Sequence, residues 1–195
     1  MPLFLSPKIL SVLTAEIAGT AVALVECRRV SVRVLTRLCE AFDKAGPAVS
    51  ETNGNGGASE LMAMLLPAAL QGLLAGLHDY TIDSHGDIGS GVREAAMRGL
   101  SFLLLRGARE PAGLVDADVA RAVGGLVQQA LEKIDRTRAV AGASLLDVVY
   151  ADPPVPHVPA HHELRAIFGW EMADRKKKKR VMATRDRLFI FFFLI

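Results

Sequence analysis

The chain is poor in the residues that staple small secreted folds or fill sheet-rich ones. Of its 195 residues two are cysteine, one is tryptophan and two are tyrosine, and aromatics make up 6%. Few aromatics beside abundant Leu, Ala and Val disfavour a β-sandwich and favour helices packed on helices. Cys27 and Cys39 stand in one helical pattern, roughly 18 Å apart at 1.5 Å per residue, too far to bridge. Unpaired thiols of this kind point to a reducing, cytoplasmic compartment. Long apolar runs are also missing: Glu16 interrupts Ile9 to Val25, and the opening MPLFLSPKIL has no basic n-region. Neither a signal peptide nor a stable membrane span is expected. No Ser or Cys sits in a nucleophile elbow, and no loop fits G-x-x-x-x-G-K-[ST]. The Gly-Asn run at 53–57 follows no strand pattern and reads as linker. No catalytic residue, metal or other cofactor is therefore expected, and the chain is read as a non-enzyme.

About half the residues are apolar, 51%, enough to bury a substantial core. The net charge of +2 conceals two unlike parts. From Arg175 onward eight Lys/Arg stand against Asp186 alone, a net of +7, which leaves the first 174 residues at −5. A mildly acidic body argues against a nucleic-acid groove built into the fold.

Helical periodicity organises the chain. Ser6 with Pro7 marks a helix start, and residues 1–45 read as N-terminal helices interrupted by charge near Glu26 to Val30. A Gly/Asn-rich linker is expected over 46–59. Leu61, Met64, Leu65, Ala68, Gly72, Leu73 and Leu77 then share one helix face, with Pro67 expected to kink or break it. Val92, Ala95, Ala96, Gly99, Leu100, Leu103 and Leu104 form a second stripe, with Arg93, Glu94 and Arg98 largely outside it. Asp116 is placed to cap a third helix carrying Val119, Val123, Leu126, Val127, Ala130 and Ile134, and a fourth is predicted from about Asp135 to Tyr150. Aligning Arg93 with Arg138 gives a period of 45 residues, inside the roughly 40–47 of HEAT-type repeats. The predicted fold class is all-α: a HEAT/armadillo-like α-solenoid of antiparallel helix pairs over 60–170.

Two stretches resemble metal sites and fail the templates. Asp83 to Glu94 has the ends of an EF-hand loop, but His85 and Ile88 occupy positions that need an oxygen ligand and a turn glycine. DPPVPHVPAHHEL holds His157, His161 and His162 beside Glu163, in an order that is not H-E-x-x-H and behind four prolines. A rigid, polyproline-like connector packed on the last helices is the better reading. Asp87 and Arg93 are expected to be scaffold residues.

The basic-apolar end, residues 171–195, could attract an anionic surface, yet the apolar octet from Leu188 spans only about 12 Å as a helix. It is expected to be non-homologous sequence appended to a truncated one. A generic HEAT-repeat interaction scaffold, or a membrane-surface protein acting through this tail, are the alternative readings.

DYTIDSHGDIGSGVREAAM, VQQALEKIDRTRAVAGASLL and DPPVPHVPAHHEL, three motifs in order, resemble the C-terminal region of tubulin-folding cofactor D, from about Leu61 to Trp170. The resemblance implies a large cytosolic HEAT-repeat chaperone without catalytic residues, acting on β-tubulin with tubulin-folding cofactors C and E, stimulating GTP hydrolysis by tubulin and meeting an Arf-like small GTPase. It also implies a cytoplasmic site of action, with microtubule or centrosome association. The signature residues, expected to hold repeats together or face a partner, are Asp79, Tyr80, Asp83, Asp87, Arg93, Glu94, Asp135, Arg138, Pro154, Pro156 and His157.

Overall fold

The computed structural model describes residues 5–50, 57–109 and 114–166. Six helices account for most of them: α1 (Leu5–Ile17), α2 (Val25–Ser50), α3 (Gly57–Gly76), α4 (Ser90–Gly107), α5 (Asp116–Gln129) and α6 (Asp135–Val149). A two-residue antiparallel ribbon, β1 (Ile82–Asp83) with β2 (Gly86–Asp87), interrupts the connection between α3 and α4. The helices stack as antiparallel pairs in two rows. One row runs α1, α3, α5 and the other α2, α4, α6, each helix packing on the next in its row and on its own pair-mate. This is an all-α solenoid.

The helices exist because their stripes need neighbours; lengths of 13 to 26 residues are marginal alone in water. α4 carries the strongest case: Val92, Ala96, Leu100, Leu103 and Leu104 are fully buried between the rows. From Leu65 on, α3 places Leu65, Leu66, Ala69, Leu70, Leu73 and Leu74 in the core, and Leu77 joins them just past its end. The helix is also continuous through Pro67, whose ring is exposed.

Several expectations are corrected. The first break falls at Ala18–Ala21 and a single 3₁₀ turn, Val22–Leu24, before the charged residues. Glu26 to Val30 belongs to the opening turns of α2, where Glu26 pairs with Arg29 and Arg28 turns inward. The linker is narrower than 46–59, because α2 runs to Ser50 and α3 starts at Gly57; 51–56 lie outside the described residues. Asp116 is the first residue of α5 and makes no side-chain cap bond; extended Val115 is the capping residue. Val127 in the α5 stripe is exposed. The largest correction concerns Arg93 and Glu94, which are buried. Arg93 stands three and seven residues before Ala96 and Leu100, on the inward side of the helix.

After α6, residues 151–160 have no regular structure, and a further helical segment occupies 161–166. Val155 and Val158 are buried, so the connector does pack on the last helices. His157 and Ala160 adopt positive φ, at 62° and 47°, which excludes a continuous polyproline helix. The tail from 171 lies outside the described residues. The two cysteines are free, Cys27 exposed and Cys39 buried; burial pushes the Cys39 thiol up to about 11.

Candidate functional site: a buried charge network at the repeat joints

The α3–α4 connection, Leu77–Gly89, folds over the joint between three helix pairs, and two fully buried arginines hold it. Arg28, from α2, donates from Nε to Asp79 Oδ2 at 2.7 Å, from Nη2 to the Thr81 hydroxyl at 2.7 Å and from Nη1 to the Ala21 carbonyl at 2.6 Å. Arg93, from α4, makes a two-pronged contact with Asp87, Nη2 to Oδ2 at 2.7 Å and Nη1 to Oδ1 at 3.1 Å. Its Nη1 also donates to the Asp79 carbonyl at 2.7 Å and its Nε to Gln129 Oε1 at 3.0 Å. The guanidinium lies 4.2 Å from the centre of the Tyr80 ring, a cation–π distance. Each guanidinium is thus paired and hydrogen-bonded, the condition under which a buried charge is tolerated.

The network reaches the next pair. Gln129, at the end of α5, donates from Nε2 to the Leu77 carbonyl at 3.3 Å and to the Tyr80 hydroxyl at 2.9 Å. That hydroxyl donates to Glu132 Oε1 at 2.7 Å. Glu94 makes a second link: its Oε1 accepts from Arg136 Nε at 2.8 Å and from the Thr137 hydroxyl at 3.1 Å. Between them these groups join α2, α4, α5 and α6.

The acidic residues of the loop are consumed locally. Asp79 Oδ1 accepts from the Thr81 amide and hydroxyl, and Asp83 Oδ1 accepts from the His85 amide at 2.7 Å. Asp87 Oδ1 accepts from the Ser90 amide at 3.0 Å, so it serves the first turn of α4 from outside the helix. Burial alone would raise the Asp79 carboxyl, but bonds from Arg28 and Thr81 outweigh it and hold the group below the usual carboxylate value. Burial, and then Glu132, raise the Tyr80 phenol. Two glycines shape the loop. Gly86 takes φ +112° at the ribbon turn, and a Cβ on Gly89 would sit 2.3 Å from the Asp79 carbonyl oxygen, where only hydrogen fits. An open cavity of about 570 Å³ lies beside it, lined by Ile17–Thr20, Ala75 and His78–Thr81.

The other signature residues lie elsewhere. Arg138 pairs with Asp135 within the first turn of α6 and donates to the Glu132 and Lys133 carbonyls, at 2.8 and 3.0 Å. His157 Nδ1 stands 2.9 Å from Asp116 Oδ1, joining the connector to α5, while Pro154 is exposed and Pro156 half-buried. His161 meets the Val149 carbonyl, apart from His157. Among the described residues no three His, Cys, Asp or Glu side chains gather as a metal site, and no helix is long and apolar enough to cross a membrane.

Sequence reasoning missed Arg28, Gln129, Thr81, Glu132, Arg136 and Thr137. A signal existed for two of them. Arg28 falls on the α2 stripe with Val25, Val32, Leu35 and Cys39, and Gln129 on the α5 stripe with Val119, Ala122 and Leu126. A polar group at a core position of a helical stripe needs a buried partner.

Stacked antiparallel helix pairs, tied across neighbouring repeats by side chains at their joints, define a HEAT-like α-solenoid. Within that class, residues 120–190 match the family described as tubulin folding cofactor D C terminal, a little over a third of the chain. The resemblance to cofactor D is thereby shown over this segment. The match begins inside α5 and continues past Trp170 through the lysine run, whereas the motif resemblance began at Leu61 and ended at Trp170. No solved structure matches the chain.

Proposed function

We propose that the chain is a non-enzymatic tubulin-folding cofactor segment that binds β-tubulin and partner cofactors, among them cofactors C and E, during assembly of the αβ-tubulin heterodimer. The observation that carries this reading is the cofactor D C-terminal match over residues 120–190. The fold supports it physically, because recognition of a large globular partner needs extended area more than a reactive group, and a solenoid supplies area. In this reading the Asp79–Arg93 network is scaffold: it fixes the angle between neighbouring helix pairs and so the shape of the surface they present. A cytoplasmic location, stimulation of tubulin's GTP hydrolysis and contact with an Arf-like small GTPase follow from the same assignment.

Pulldown of the full chain against purified β-tubulin and against cofactors C and E tests it. Retention of β-tubulin or a cofactor is expected. A folded chain, shown by a cooperative melt, that retains none of them overturns the assignment and leaves a repeat scaffold for another partner.

A further inference from the structure

The outer side of α2 and α4 carries exposed arginines beside exposed or half-buried apolar side chains. The register of the two helices is fixed by three contacts: the Arg29 side chain lies over Gly91, the Thr36 hydroxyl meets the Gly99 position, and Asp43 pairs with Arg106. Residues 29, 36 and 43 of α2 therefore face α4. Arg33, one turn beyond Arg29 on the exposed side, borders the groove between the two helices. Across that groove Arg98 is exposed on the outer side of α4, with half-buried Phe102 one turn further along the same face.

The acids here are already engaged or distant. Glu26 pairs with Arg29, and buried Glu94 takes Arg136 from α6. Glu40 stands 3.7 Å from Arg37, whose side chain is 82% exposed. Arg33 and Arg98 have no carboxylate partner among the described residues; the only bond of Arg98 runs to the Glu94 carbonyl at 3.3 Å. Exposed Val30 and Val34 complete the α2 side. Unpaired guanidinium forks flanked by apolar side chains attract carboxylates and add apolar contact along a chain that carries them.

We infer that the outer face of α2 and α4 docks an acidic polypeptide segment of a partner protein. Arg33 and Arg98 take its carboxylates, and Val30 and Phe102 take the aliphatic or aromatic side chains on either side of them. The inference stands on this face alone and does not depend on the tubulin assignment. Nucleic acid is the competing polyanion, and the apolar side chains flanking the arginines favour a peptide over a phosphate chain.

The test is fluorescence anisotropy of labelled poly-L-glutamate on the full chain at low and high salt, with single-stranded RNA of equal charge as the second probe. A parent in which Lys176 to Lys179 are changed to Gln removes most of the charge of the lysine run. In that parent, Arg33→Glu with Arg98→Glu is expected to weaken poly-glutamate binding at low salt by about tenfold or more, while Lys8→Glu on α1 leaves it unchanged. Equal affinity with and without the double charge reversal, in protein whose melt is unaltered, overturns the inference. So does loss of all binding in the lysine-run parent, or tighter Arg33- and Arg98-dependent binding of RNA than of poly-glutamate.

Discussion

The α3–α4 and α5–α6 connections do the same job in neighbouring helix pairs and are built differently. Each leads into a helix whose fourth residue is an arginine, Arg93 or Arg138, that reaches back to carbonyls of the preceding connection. In the longer connection the chain doubles into a ribbon and lies over its arginine, which is fully buried. In the short one there is no such cover, and the Arg138 side chain remains 25% exposed beside Asp135. The same residue at the same helix position is therefore a core strut in one pair and a half-buried ion pair in the next. The longer loop, with Gln129 from the next pair, supplies the cover that Arg93 has.

That comparison can be broken by mutation, beginning with the largest effect. Arg93→Ala leaves Asp87 without its buried partner and should cost about 3–5 kcal/mol by denaturant unfolding, whereas Arg138→Ala should cost less than about 1 kcal/mol. Similar losses at both sites would abolish the distinction. Leu100→Ala, two turns along α4 and fully buried, calibrates the core at about 2–5 kcal/mol; a near-native melt would contradict the inward face assigned to that helix.

Glycines sharpen the contrast further. Gly89→Ala in the long connection drives a Cβ against backbone and should destabilise by about 1–3 kcal/mol. Gly124→Ala on the exposed side of α5, where a Cβ meets nothing within 4 Å, should stabilise by about 0.5–1 kcal/mol. The smallest effect is in pH. The folded Asp79 carboxyl is held below its unfolded value of about 3.9, so the unfolded state takes up its proton first as acid is added. Its contribution is full above that value and is lost as pH falls through the folded one. An acid titration of stability should therefore show a shallower loss below about pH 4 in Asp79→Asn than in the parent chain, and parallel acid limbs would remove Asp79 from the network.

Much of this architecture was legible in the residues, and the reasons are local. The Val92 to Leu104 stripe is a short-range pattern fixed by helix period, and the 45-residue echo of Arg93 in Arg138 is the recurrence of one local motif in successive repeats. The joint was not legible in the same way. Arg28 and Asp79 lie 51 positions apart and Arg93 and Gln129 lie 36 apart, separations that periodicity within one helix cannot pair. His85 and Ile88 break the calcium-loop template of the Asp-rich stretch, but its carboxylates could be assigned to arginines only once the rows were stacked. Arg93 and Glu94 were misplaced because charge was allowed to outweigh register: both belong to the buried side of α4, where pairing offsets the desolvation that their charge would otherwise incur.

Native-state hydrogen exchange of the intact chain, read at residues 79–90 and 130–138, tests the locked joint most directly. The Thr81, Gly89 and Ser90 amides, bonded within the long connection, are predicted to exchange with the slow amides of α4 and to become fast in Arg93→Ala. Fast exchange at those amides in the parent chain, while α4 stays protected, would contradict the account: the connection would then be a loop lying on the repeats and not the strut that joins them.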